Sequence, residues 1–168
     1  FTLGSAAVLA AEDFFEVSAE AARLAGKRAV LLHGLFGEAP FVADGDIAVC
    51  DYAPFSRLFP RASAVVNQGG IGTVGQALLA GIPQLIVPFA HDQPDNAERC
   101  RRAGAAITLD RSSYSAKRVA ERLKRLVGNR NFRANAIEAS RIIRHEHGTE
   151  TACDAIEDIL KKIGRRVN

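Results

Sequence analysis

Apolar residues along this chain come in two alternating patterns. One is a short unbroken run, as in Ala29-Val30-Leu31-Leu32, Ile47-Ala48-Val49-Cys50, Ala64-Val65-Val66 and Leu85-Ile86-Val87. A run of this length between turn residues reads as a strand buried on both faces. The other is a recurrence every three or four residues, which reads as one face of a helix. Phe1-Thr2-Leu3-Gly4-Ser5 reads as the end of a strand entering a loop. Helical spacing then covers residues 12–24, with Gly26 as its stop. The segment 33–46 is rich in glycine and reads as a loop. Pro54 opens a short helix through Leu58-Phe59, and Pro60 closes it. A helix follows the glycines at 69–72 and runs to Gly81. Asp92 or Asp95 is positioned to cap a helix through Arg99–Arg102 that stops at Gly104. Residues 105–109 form a further strand, Ser115 caps a helix over 116–127, and two more helices cover 132–144 and 149–163.

Strands alternating with helices predict an α/β fold: a Rossmann-like, three-layer α/β/α domain with a parallel sheet covered on both faces. Ligands in such folds sit beyond the carboxyl ends of the strands. The polar and glycine-rich segments all follow predicted strands, namely Gly4-Ser5, Tyr52, residues 68–73 and residues 91–93. They are therefore expected to converge on one edge of the sheet. The densest of these stretches is 62–96, which reads as strand, glycine turn, helix, strand and polar loop. A glycine turn opening a helix presents backbone N–H groups to an anion, usually a phosphate.

Composition narrows the setting. The chain has 168 residues, 48% hydrophobic and 24% charged, with a net charge of +3. That length suits a single domain spanning 1–168 with one core, and the mild, interspersed charge gives no reason to expect nucleic acid. Cys50, Cys100 and Cys153 are odd in number and far apart, without a C-x-x-C pair, so reduced thiols and a cytoplasmic protein are expected. No apolar run approaches the ~20 residues of a membrane span, and no signal-peptide pattern opens the chain; attachment to a membrane surface is left open. Phe1 starts in what reads as a core strand, and the chain contains no Met. A fragment lacking an N-terminal part is the expectation.

Gly70-Ile71-Gly72-Thr73-Val74-Gly75 matches G-x-G-x-x-G, and Asp92 stands about 20 residues further on, where a ribose-binding acid is expected. This favours an NAD or FAD domain. In that pattern, however, the glycines follow the first strand, and here they follow about the fourth. The plainer alternative is a turn that only packs helix against strand. No lysine follows the glycines, which argues against a P-loop nucleotidase. Between Ala62 and Glu98 there is no Lys or Arg at all, so a diphosphate here would be held by amides, hydroxyls and a helix dipole. Asp44-Gly45-Asp46 resembles a cation-holding D-x-D but reads better as an Asp-Gly turn. His145-Glu146-His147 is a metal half-site without a second half. His33 reads as structural, and the basic tail with Lys161, Lys162, Arg165 and Arg166 as a solvated helix end.

Taken together, the order of Tyr52-Ala53-Pro54, Gln68-Gly69-Gly70-Ile71-Gly72-Thr73, Ala80-Gly81-Ile82-Pro83, Asp92-Gln93 and Asn96-Ala97 resembles the donor-binding half of family 1 nucleotide-sugar glycosyltransferases. The likeness runs along nearly the whole chain. It implies the C-terminal half of a two-domain GT-B enzyme, whose N-terminal domain binds the acceptor. The resemblance implies that Tyr52 flanks the base and Ala53 offers it backbone groups. It implies that Gly70, Gly72 and Thr73 cradle the diphosphate, with Ser5 approaching from the first loop, and that Asp92 and Gln93 bind the sugar hydroxyls. A carboxylate and an amide beside a phosphate turn suit a polyol joined to a phosphate.

Four positions depart from the family pattern. Gln68 and Asn67 stand where histidines are common, Gln76 where a glutamate usually binds the ribose, and Tyr52 where many members have tryptophan. The implied donor is a UDP- or TDP-sugar, with no metal and no other cofactor. The implied reaction is an inverting transfer to a hydroxylated small-molecule or lipid acceptor, using a histidine base on the absent domain. His91 is not assigned that role, and catalysis by this chain alone is expected to be absent. Two other readings remain open: a dinucleotide-binding oxidoreductase domain, and a non-catalytic ligand-binding module that keeps the fold.

Overall fold

The computed structural model describes residues 1–34 and 45–164, the side chains of Ser5 and Ala6 excepted. Five short strands are all parallel to their neighbours: β1 (Ala29–Leu32) beside β2 (Ile47–Cys50), and β3 (Val65–Asn67), β4 (Gln84–Ile86) and β5 (Ala106–Thr108) side by side. Residues 1–3 stitch the two groups together. Leu32 N donates to Phe1 O at 2.9 Å on one side, and Thr2 N donates to Val66 O at 3.0 Å on the other. Counting that stretch as the first strand, the spatial order is 3-2-1-4-5-6, the doubly wound order of dinucleotide-binding folds. The order reverses between the first strand and β3, the point beyond whose carboxyl ends folds of this kind form their ligand crevice.

Both faces are covered, which is why the strands read as unbroken apolar runs. Val66, Leu85, Val87 and Ile107 pack against Phe14, Ala19 and Ala22 of α2 (Phe14–Leu24) and Val119 and Leu123 of α6 (Ala116–Gly128). On the opposite face, Ile86 and Ala106 meet Val74 of α4 (Ile71–Leu79) and Ala97 and Cys100 of α5 (Gln93–Arg102). Val65 packs there with Ala77, Ile82 and Phe59, the last of which follows the short α3 (Phe55–Leu58). Neighbouring residues on one strand thus serve different layers.

The expected helices are present, with shifted ends. Residues 12 and 13 stand outside α2, and Gly4–Ala7 forms a four-residue helix, α1, instead of open loop. Ser115 and Asp92 occupy N-cap positions, but neither side chain makes the capping hydrogen bond. The tail divides into α7 (Arg130–Arg144) and α8 (Gly148–Gly164). Ser140 Oγ and Arg144 Nη2 both donate to Leu79 O, at 2.8 and 3.0 Å, so α7 satisfies the carboxyl end of α4 and places a cation there. Gly81 permits this approach: its φ is +64°, and an added β-carbon would lie 3.4 Å from Ile137 Cα. On α8, Ile156, Ile159, Leu160 and Ile163 form an apolar stripe, each more than half exposed. Among the described residues no helix is long and apolar enough to cross a membrane.

The cysteines test this packing. Cys100 is buried against the sheet and burial pushes its thiol up to about 11, whereas Cys153 is exposed and Cys50 half-buried; all three are free. Because the thiolate is the reactive form, a disulfide reagent at pH 8 is expected to label Cys153 quickly and Cys100 only after denaturation. Equal rates at the two would contradict the seating of α5 on β4 and β5.

Candidate functional site

The segments that follow the strands do converge on the carboxyl edge. Gly4 (φ +65°) ends the first strand, and a β-carbon built on it would lie 2.5 Å from Gln68 Nε2. One built on Gly70 would lie 2.7 Å from the same atom. The Gln68 amide is therefore wedged between the two turns at the switch point. It is 6% exposed, and its Oε1 has no hydrogen-bond partner.

The glycine turn is held by side chains to which the sequence reading gave no such role. Asn67, fully buried, accepts from Gly69 N at 2.7 Å through Oδ1 and donates to Gln84 Oε1 at 2.9 Å. Gln84 in turn donates to Val74 O at 3.4 Å, reaching the first turn of α4. Asn96 Nδ2 donates to Gly69 O at 2.9 Å, so Gly69 is gripped at both its amide and its carbonyl. An asparagine two residues before a glycine pair was the available signal, since its side chain bonds the backbone two residues on. Nothing in the sequence marks Gln84, whose partner lies 17 residues away on a neighbouring strand.

Gly70 is the N-cap of α4, in an extended conformation (φ −63°, ψ 135°) and without a side-chain cap. The amides of Ile71, Gly72 and Thr73 consequently have no acceptor within the helix, and the dipole adds positive potential beside them. Ile71 and Gly72 are exposed, Thr73 is buried at 6%, and Gln76, one turn beyond Gly72 on the same face, is exposed. A β-carbon at Gly72 would meet no protein atom within 4 Å.

Asp92 is exposed and its Oδ2 accepts from Asn96 Nδ2 at 2.7 Å. One amide group thus ties the acid to the carbonyl of Gly69. Gln93 behaves differently: it is 7% exposed, and its Oε1 accepts from Phe89 N at 2.8 Å and Ala90 N at 3.0 Å. Its oxygen is committed to shaping the loop, which leaves its NH2 group to offer a ligand. Tyr52 is 69% exposed and Ala53 half-buried at the end of β2. Ser5 lies on α1 at the end of the first strand, its side chain outside the described set. From β2 to β4 is four strand spacings, about 19 Å. Tyr52, the turn and Asp92 are laid out along that line.

The other candidates separate from this edge. His145 Nδ1 bonds Arg141 O at 2.7 Å and His147 pairs with Glu150 at 3.2 Å, and no group of three metal-ligating side chains exists among the described residues. Asp44 of the D-x-D, and Arg165 and Arg166, lie outside the described residues. Lys161 pairs with Glu157 at 3.4 Å. His33 is buried at the end of β1, its Nε2 3.9 Å from Asp51 and its Nδ1 unpartnered. The arginines of α5 are spent within the helix: Arg99 on Asp95, and Arg101 and Arg102 on Glu98, whose carboxyl their hydrogen bonds hold at about 2.

This arrangement has known counterparts. The family described as "Erythromycin biosynthesis protein CIII-like, C-terminal domain" matches residues 39–157. The chain belongs to this family. O-mycaminosyltylonolide 6-deoxyallosyltransferase from Streptomyces fradiae is 36% identical over 161 residues, covering 94% of the chain and 37% of that protein. Among solved structures, the glycotransferase of kitacinnamycin superposes with a TM-score of 0.81 at 27% identity, over 93% of this chain and 41% of that one. The spinosyn rhamnosyltransferase SpnG complexed with thymidine diphosphate gives 0.68 at 28% identity, over 84% and 40%. The chain thus spans about two fifths of the length of these relatives. The family is the C-terminal domain of glycosyltransferases with the GT-B fold, and this chain is a sugar-donor-binding domain of that kind. Membership sets the oxidoreductase reading aside. The strand order serves both classes, but the glycine turn follows the fourth strand.

Proposed function

We propose that this chain holds the nucleotide sugar of an inverting, metal-independent glycosyltransferase whose acceptor, a hydroxylated small molecule or lipid, sits on an N-terminal domain. The observation that carries the reading is the link from Asp92 through Asn96 to Gly69. It joins a polyol-binding carboxylate to an amide-lined anion site at the distance of one strand. The free amides of residues 71–73 lie where charge grows on a departing diphosphate, and fixed dipoles there lower the barrier. The acceptor oxygen bonds to the anomeric carbon as the bond from that carbon to the phosphate oxygen breaks. The acceptor's proton passes to a base on the other domain. Without that domain the chain binds donor and transfers nothing.

The relative solved with thymidine diphosphate supports TDP as a carrier, and the relative named a deoxyallosyltransferase supports a deoxyhexose. The free thiols support a cytoplasmic setting. Calorimetry on this chain with TDP, UDP and NAD tests the proposal. Heat from TDP or UDP and none from NAD is expected. Silence from both diphosphates sinks it, and binding of NAD alone would restore the dinucleotide alternative.

A further inference from the structure

Two loops frame the sugar end of the crevice, and one side chain outside both of them touches each. Arg111 begins the 3-10 turn Arg111–Ser113 after β5. Its Nη2 donates to Ala10 O at 2.8 Å and lies 3.0 Å from Glu12 Oε2, both in the loop that leaves the first strand. Its guanidinium carbon lies 4.0 Å from the centre of the Phe89 ring, in the loop between β4 and α5. The flat guanidinium can do all three at once, where an ammonium cannot.

We propose that Arg111 is a positioning residue: it couples the first loop to the β4–α5 loop and thereby sets where Asp92 and Gln93 stand for the donor sugar. The inference rests on the donor-binding reading above. Phe89 is not a passive contact. Its amide and that of Ala90 are both bound by Gln93 Oε1, so the ring that carries Arg111 belongs to the same hydrogen-bonded loop as the sugar pair. The two non-glycine residues with positive φ among the described residues, Glu12 (49°) and His91 (58°), fall one in each of these loops. Such conformations persist only where the surroundings impose them, and they gather at ligand clamps. Arg111 is the group that touches both loops, through Glu12 in one and Phe89 in the other. On the far side, the turn that presents the amides of residues 71–73 is held at Gly69 by Asn67 and Asn96; Arg111 reaches it only indirectly, through the β4–α5 loop and the bond of Asn96 to Asp92.

This division makes the test specific. Arg111→Ala is expected to weaken binding of a TDP-hexose to this chain about tenfold, as calorimetry reads it, and that of TDP by less than about twofold. Hydrogen exchange is expected to quicken together in residues 4–13 and 87–93. Arg111→Lys, which keeps the charge beside Glu12 but not the flat face on Phe89, is expected to fall between. Equal weakening of TDP and TDP-hexose, or faster exchange in one loop only, overturns the inference. Should the wild-type chain bind neither nucleotide, the donor reading falls, and exchange alone still decides whether Arg111 couples the loops.

Discussion

Gly69→Ala is expected to cost the domain about 3 kcal/mol and to abolish nucleotide binding. Two terms add. A φ of +94° places an L side chain in the left-handed region, which costs about 1–2 kcal/mol. An added β-carbon would also lie 2.9 Å from Ile86 Cγ2 and 3.0 Å from Gln93 O. The second is backbone and cannot swing away, so overpacking adds about 1–3 kcal/mol. Relief by rotating the peptide would break the hydrogen bonds from Asn96 to Gly69 O and from Gly69 N to Asn67. Urea unfolding reads the first effect and calorimetry the second. Gly72→Ala is the control. It has helical geometry and open space around it, so it should leave stability unchanged or raise it by up to ~1 kcal/mol. It should still weaken TDP binding, because the new methyl stands beside the free amides. If Gly69→Ala unfolds at the wild-type urea concentration, the close approach at this turn is wrong.

Asp92→Ala is expected to weaken binding of a TDP-hexose by roughly 10- to 100-fold, which corresponds to losing a hydrogen bond to a charged group. Binding of TDP itself should change by less than about twofold, since the diphosphate contacts lie on α4. Stability should move by no more than ~0.5 kcal/mol: Asp92 is exposed and its bond to Asn96 is on the surface. Asp92→Asn separates charge from shape. If charge matters, the amide behaves like alanine; if only an acceptor is needed, it recovers most of the affinity. An unchanged Kd for the TDP-hexose in Asp92→Ala would remove this residue from the site.

Much of the edge could be read in advance because its signals are local. Glycines that end strands, an extended run before them and a helical period after them are all set by neighbours in sequence. The helix ends were harder: residues 12 and 13 carry the right composition for α2, yet Arg111 and the positive φ of Glu12 hold them out of it. The framework around the turn was largely invisible. Gln84 and Asn96 act on groups that chain proximity does not predict, and Gln93, expected to bind sugar hydroxyls, also has its Oε1 committed to Phe89 and Ala90, which no local pattern marks.

The sequence by itself determined the alternation of strand and helix, a sheet covered on both faces, and the chemistry gathered after the strands. Those follow from side-chain periodicity and from backbone preferences that act over a few residues. Only the tertiary structure decided the strand order. Residues 1–3 lie between β1 and β3 because of hydrogen bonds that join positions 30 and more residues apart. That order puts the switch point beside Gly4 and Gly70, brings Gln68 between them, and lets Asn96 and Arg111 reach the turn and the loops. Each of these contacts depends on where separate segments come to rest against one core, which local pattern does not encode.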